Sequence, residues 1–139
     1  MQLQIFSPVK HSDLTSQILG ICIKVHKVLG PGLLESVYER AICFELAKAG
    51  LSFKRQQGIK VFYEGEDMNL GFRADVIIEN TVLLEIKSVE SVTPVFKKTC
   101  LTYLRFTELE VGLIVNFNVL RLMDGVTRLV LDKREEPSQ

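Results

Sequence analysis

No two of the three cysteines, Cys22, Cys43 and Cys100, form a CxxC pair, and their number is odd. A disulfide framework and a zinc site are therefore not expected. Each thiol falls in a helical pattern beside apolar residues, as a packed side chain in a reducing compartment would. The opening MQLQIFSPVKHSD lacks the basic start and long apolar run of a secretory signal. Nowhere do about eighteen apolar residues follow one another, so no membrane span is expected and a cytoplasmic location is the default. Neither charge sign is in excess, since 17 Lys and Arg balance 17 Asp and Glu. That argues against a protein held on nucleic acid by its overall field, while leaving room for a local basic patch. Repeats, linkers and low-complexity tracts are also missing. The expectation is one domain over residues 1–139, with a core at about 12–131 and a polar tail at 132–139.

What is present is a clear alternation of periods. Leu14, Ile18, Ile21, Cys22, Val25, Val28 and Leu29 recur at helical spacing, with Ser12 or Asp13 as candidate cap. Pro31, flanked by glycines in LGPG, ends that helix. A second helix fits Leu33 to Ala49 and stops at Gly50. Beyond it come a strand, a turn at Glu64-Gly65, a second strand to Ile78, and a third in TVLLEIKSV. Thr93-Pro94 is a helix start, with threonine as cap and proline in the first turn, and the helix runs to about Phe106. Val111 to Phe117 reads as a short buried strand. VLRLM and TRLVL flank an Asp124-Gly125 turn and complete the sheet as strands. The order αα-βββ-α-ββ, with VLRLM as a possible extra strand, describes a mixed α/β domain: a small sheet with helices packed on it.

The segment GFRADVIIENTVLLEIKSV holds the residues that sheet packing does not explain. A three-residue turn, Glu79 to Thr81, makes Ile78 face Val82, Val76 face Leu84, Asp75 face Glu85 and Arg73 face Lys87. A two-residue turn offsets the pairing by one. With side chains alternating between faces, Ala74, Val76, Ile78, Val82, Leu84 and Ile86 form an apolar face. Arg73, Asp75, Ile77, Leu83, Glu85 and Lys87 form the other. Two facing carboxylates repel, and a divalent cation removes that cost. Mg²⁺ is held by a few carboxylate oxygens and keeps waters, which leaves room for a phosphate oxygen. A lysine two residues on could orient or deprotonate a water and offset phosphate charge. The set suits metal-assisted phosphodiester hydrolysis. A solvated face with Asp75–Lys87 and Glu85–Arg73 ion pairs accounts for the same spacing.

In the helix GLLESVYERAICFELAKAG, Leu34, Val37, Tyr38, Ala41, Ile42, Phe44 and Leu46 cover one broad arc. Glu35 falls inside it and Glu39 at its edge, on the exposed side. A carboxylate on a buried arc calls for a partner or a metal, although the first helical turn also favours an anion. Glu45 lies in the arc too. An acid aimed at the sheet would complete a metal site of Glu35, Asp75 and Glu85 with Lys87 beside it. His26 is a candidate ligand or base, but a packed or capping histidine near a helix end fits as well. Tyr38 and Tyr103 read as core-edge aromatics with hydroxyls toward the site. Asn116 reads as serving a local backbone group. The pairs Lys54-Arg55 and Lys97-Lys98 could contact phosphates, though solvated surface is the simpler reading.

HKVLGPGLLESVYE resembles the signature of the GxxExxY family, with Gly32, Glu35 and Tyr38 at its named positions. FRADVIIENTVLLEIKSVESVTPV and YLRFTELEVGLIVNF resemble the rest of that family, so the likeness covers about residues 12 to 131. The family is similar to the PD-(D/E)XK nuclease superfamily. The resemblance implies a restriction-endonuclease-like core, a central mixed β-sheet flanked by helices. It implies Glu35, Asp75 and Glu85 as metal ligands, Lys87 as catalytic lysine, and Mg²⁺, with Mn²⁺ able to substitute. The substrate expected is DNA, with RNA as an alternative, and a homodimer or protein partner would extend the small binding surface. Arg73, Tyr38, Tyr103 and Thr99 are the candidate substrate-positioning residues. Related nucleases often carry a glutamine where Thr99 stands here, one turn before Tyr103, and Phe96 occupies a position where a polar residue is expected. A catalytically inactive module that binds nucleic acid or protein is the alternative.

Overall fold

The computed structural model describes residues 11–132. The opening ten residues, and the tail apart from Asp132, lie outside them. Helix α1 spans Ser12–Leu29 and α2 Glu35–Lys48. Strands β1 (Phe53–Tyr63), β2 (Glu66–Ile78) and β3 (Val82–Lys87) follow, then helix α3 (Pro94–Thr107), β4 (Val111–Asn116), a 3-10 turn at Leu122–Gly125, and β5 (Val126–Val130). The order is the expected one, except that VLRLM forms no strand. The Val119 carbonyl is taken by His26 Nε2 at 2.9 Å, Leu122 turns into the core, and β5 pairs with β4 directly.

Local chemistry sets the element ends. Thr93 caps α3 by accepting the Phe96 amide at 3.3 Å, with Pro94 in the first turn. Gly50, at φ +75°, closes α2, and the Leu51 amide reaches back to the Leu46 carbonyl. Helix α1 differs from expectation: neither Ser12 nor Asp13 caps it, and His11 holds the N-cap position in a left-handed conformation without a side-chain bond.

The five strands form one sheet in sequence order, antiparallel except for β3 against β4. That parallel pair is joined through α3, as parallel neighbours must be joined by a crossover. Both strands are covered on both faces. On one side α1 and α2 pack on Val76, Ile78, Leu84, Ile86, Leu113 and Val115. On the other, α3 packs through Cys100 and Leu104 on Ile77, Leu83 and Ile114. Ala74 joins this second cluster instead of the apolar face expected for it.

The buried side of α2 is rotated relative to the expected arc. Tyr38, Glu39, Ile42, Cys43 and Leu46 are buried, while Leu34 and Phe44 are exposed. Glu39, expected on the surface, is buried because Arg55 Nε and Gln56 Nε2 reach its two oxygens at 2.6 and 2.7 Å. Glu45 instead pairs with Lys24 at 2.9 Å. All three cysteines are free and buried, as expected.

Helix α3 approaches the sheet closely because β4 carries Gly112 beneath it. A β-carbon there would lie 2.8 Å from Cys100 Sγ and 3.3 Å from Leu104 Cδ1. Gly112→Ala should cost about 1–3 kcal/mol in denaturant unfolding, as overpacking does. Combined with Cys100→Ala, which removes the nearest atom, the cost should be less than additive in a double-mutant cycle.

Candidate active site

The β2–β3 hairpin keeps the expected three-residue turn, and Ile78 faces Val82 while Val76 faces Leu84. The ladder then stops. Asp75 does not pair with Glu85 through the backbone, nor Arg73 with Lys87. Instead Asp75 Oδ2 accepts the Ile86 amide at 2.9 Å, so a side chain satisfies a strand amide and its carboxylate is fixed beside β3. A small cavity of about 110 Å³ opens there, under α3. Its walls include Arg73, Asp75, Glu85, Lys87, Thr99 and Tyr103, and they are completed by Phe96, Cys100 and Ile114.

Glu85 is the most deeply buried charged side chain lining this cavity. It sits inside a central strand buried on both faces, is 6% exposed, and its Oε1 has no hydrogen-bond partner. Burial, and next the neighbouring Asp75 carboxylate, push its pKa up to about 9, with Lys87 pulling the other way. The Tyr103 hydroxyl is raised as well, by burial first and then by Glu85 and Asp75. Tyr103 is held in place by Phe72, whose ring stacks on it at 3.9 Å between centroids. Strict alternation puts Phe72 on the other strand face from Arg73. Phe72 and Ala74 lie on the α3 side while Val76 and Ile78 lie on the other, so alternation breaks at Asp75, beside Gln56 of β1 with its φ of +52°.

The two cations behave differently from the expected ion pairs. Among the described residues, Arg73 pairs with neither carboxylate, and its guanidinium donates to the Gln56 carbonyl at 3.4 Å. The Lys87 ammonium lies 4.4 Å from the centre of the Phe96 ring.

Glu35 does not line the cavity. Helix α2 packs on the opposite sheet face, and Glu35 Oε2 accepts the Ser88 amide at 3.0 Å at the end of β3. Ser88 Oγ in turn donates to the Leu33 carbonyl at 2.8 Å. The expected convergence of Glu35, Asp75 and Glu85 is not formed, and no group of three His, Cys, Asp or Glu among the described residues is arranged to hold a metal ion. Tyr38 is fully buried on the α1–α2 side. Its hydroxyl donates to the Gly30 carbonyl at 2.5 Å and accepts the Leu33 amide at 3.1 Å, which closes the LGPG turn. Asn116 serves backbone, accepting the Val89 amide and donating to the Val89 carbonyl. His26 is packed against Phe117.

Residues 12–129 match the family model of the PD-(D/E)XK nuclease superfamily. The chain belongs to that superfamily. Its three helices and five-stranded mixed sheet, counted over the described residues, are a restriction-endonuclease-like α/β fold. No curated protein and no solved structure matches it. PD-(D/E)XK nucleases generally use divalent metals. The donors here fit such an ion: two adjacent carboxylates, one of them buried with an oxygen that nothing else satisfies, are hard ligands that a cation would relieve. Among the described residues no helix is long and apolar enough to cross a membrane.

A raised pKa means that the folded state binds the Glu85 proton more tightly than the unfolded chain. The associated stability is complete below about pH 4.5 and is lost as pH rises toward about 9. In metal-free protein, urea unfolding of wild type against Glu85→Gln should show the variant gaining relative stability across that window. The limiting slope is about 1.4 kcal/mol per pH unit. A pH-independent difference would show that Glu85 is not held protonated.

Proposed function

We propose that this chain is a divalent-metal-dependent nuclease that hydrolyses DNA phosphodiester bonds in the cavity under α3. The observation that carries this is the buried Glu85 oxygen left without a partner beside the Asp75 carboxylate. Asp75 and Glu85 would hold Mg²⁺, or Mn²⁺ in its place. Bound there, the ion supplies Lewis-acid polarisation of a phosphoryl oxygen. Lys87, two residues beyond Glu85 on the same strand, orients or deprotonates the attacking water and offsets charge on the phosphate. Arg73, exposed at the cavity wall, contacts a flanking phosphate. Thr99 and Tyr103 bound the space for substrate from α3. Glu35 acts at one remove, fixing Ser88 and so the strand end that carries Lys87. Tyr38 supports the same junction by closing the turn before α2. The surface around the cavity is small for gripping a duplex, so a homodimer or protein partner belongs to the proposal.

A non-catalytic module that binds nucleic acid or a protein is the second reading. It is favoured by the hold of Ser88 on Glu35 and by Thr99 at a position where a longer amide would reach into the site.

The test is incubation of labelled single-stranded, duplex and branched DNA, and RNA, with Mg²⁺, Mn²⁺ or EDTA. Wild type should cleave at least one substrate only with metal. Lys87→Ala should lose roughly 10²–10⁴-fold in rate, and Asp75→Ala should lose both cleavage and the rise in melting temperature that metal confers. A folded wild type that cleaves nothing, gains no stability from metal and binds DNA equally in EDTA would establish the module instead.

A further inference from the structure

Lys87 shares a cavity with two carboxylates, yet among the described residues it forms an ion pair with neither. Its ammonium rests on the face of Phe96, 4.4 Å from the ring centre. The ring belongs to the first turn of α3, where the Phe96 amide is tied to Thr93 Oγ1 and the helix start is set by Pro94. Phe96 is half-buried and lines the same cavity as Lys87. A cation on an aromatic face gains about as much as a partly exposed ion pair. The two options place the ammonium differently. On a carboxylate it would neutralise the donors a metal needs, whereas on the ring it leaves them free.

We propose that Phe96 is a positioning residue for Lys87: its ring holds the ammonium off Asp75 and Glu85, keeping both carboxylates open to a divalent cation and the lysine available to a phosphate. This rests on the cavity being a metal-dependent nuclease site. It gives a physical role to an aromatic side chain standing where a polar one is expected.

The experiment uses the full chain and Mn²⁺ alone as probe. Phe96→Leu and Phe96→Met keep apolar bulk and remove the ring, while Phe96→Tyr keeps the ring. In metal-free protein, the Lys87 ε-methylene protons should be shifted upfield by the ring current in wild type and Phe96→Tyr, and not in Phe96→Leu or Phe96→Met. By calorimetry, the ring-less variants should bind Mn²⁺ about two- to five-fold more weakly, as the collapsed ammonium competes for the carboxylates. In a Lys87→Ala background the same substitutions should leave Mn²⁺ affinity unchanged. An unshifted Lys87 signal in wild type, or equal weakening with and without Lys87, would overturn the proposal. A shifted Lys87 signal in a wild type that binds no Mn²⁺ would overturn the nuclease reading and leave the hold of Phe96 on Lys87 standing.

Discussion

A carboxylate built into a buried central strand is the constraint around which this molecule is arranged. Glu85 lies on β3, between a helical layer on each face, with one oxygen unsatisfied and a second acid beside it. An isolated buried charge is costly, and such a group neutralises itself or acquires a counter-ion. Here it is driven toward the protonated form, in a strand whose other residues are apolar up to the terminal Lys87. Asp75 is the necessary companion. Its carboxylate takes over a strand hydrogen bond where the β2–β3 ladder ends, so the acid is held by backbone and, among the described residues, by no ion pair with Arg73 or Lys87.

Much of the remaining polar chemistry braces the end of β3. Glu35 and the Leu33 carbonyl both hold Ser88, the Phe117 amide holds the Lys87 carbonyl, and Asn116 clamps Val89 from the adjacent strand. Tyr38 closes the turn that delivers Glu35 to this junction and stacks on Phe117. Residues that look chemically active one by one are therefore framework on the α1–α2 side of the sheet. The cavity opens on the α3 side, where Gly112 lets the helix come close enough for Phe96, Thr99 and Tyr103 to wall it.

The zero net charge is compatible with a nucleic-acid substrate once the cations are considered locally. Arg73 and Lys87 reach the cavity with their charges unspent on its carboxylates, whereas Arg55 and Lys24 are committed to Glu39 and Glu45. What a phosphodiester would meet is set by these placements, since the chain as a whole contributes no attracting field.

The sequence by itself determined the element order, the three-residue hairpin turn with its register near Glu79, and the grouping of Arg73, Asp75, Glu85 and Lys87. Periodicity and turn chemistry are local, and alternation along two strands joined by a short turn leaves little freedom. It also pointed to Asn116 as a backbone-serving side chain and to buried cysteines. Only the tertiary structure decided which sheet face each helix covers. That choice moved Glu35 onto Ser88, turned Tyr38 into the core, buried Glu39 against Arg55 and exposed Phe44. A helical wheel gives the width of an apolar arc but not the sheet face on which it packs, so Glu35 meets the Ser88 amide and not Asp75 and Glu85. The same holds for VLRLM, whose strand-like composition yields to a packed Leu122 and to a histidine from α1 that claims the Val119 carbonyl. Local pattern fixes what a segment can form, and long-range packing selects among those forms because buried polar groups must find partners that lie far away along the chain.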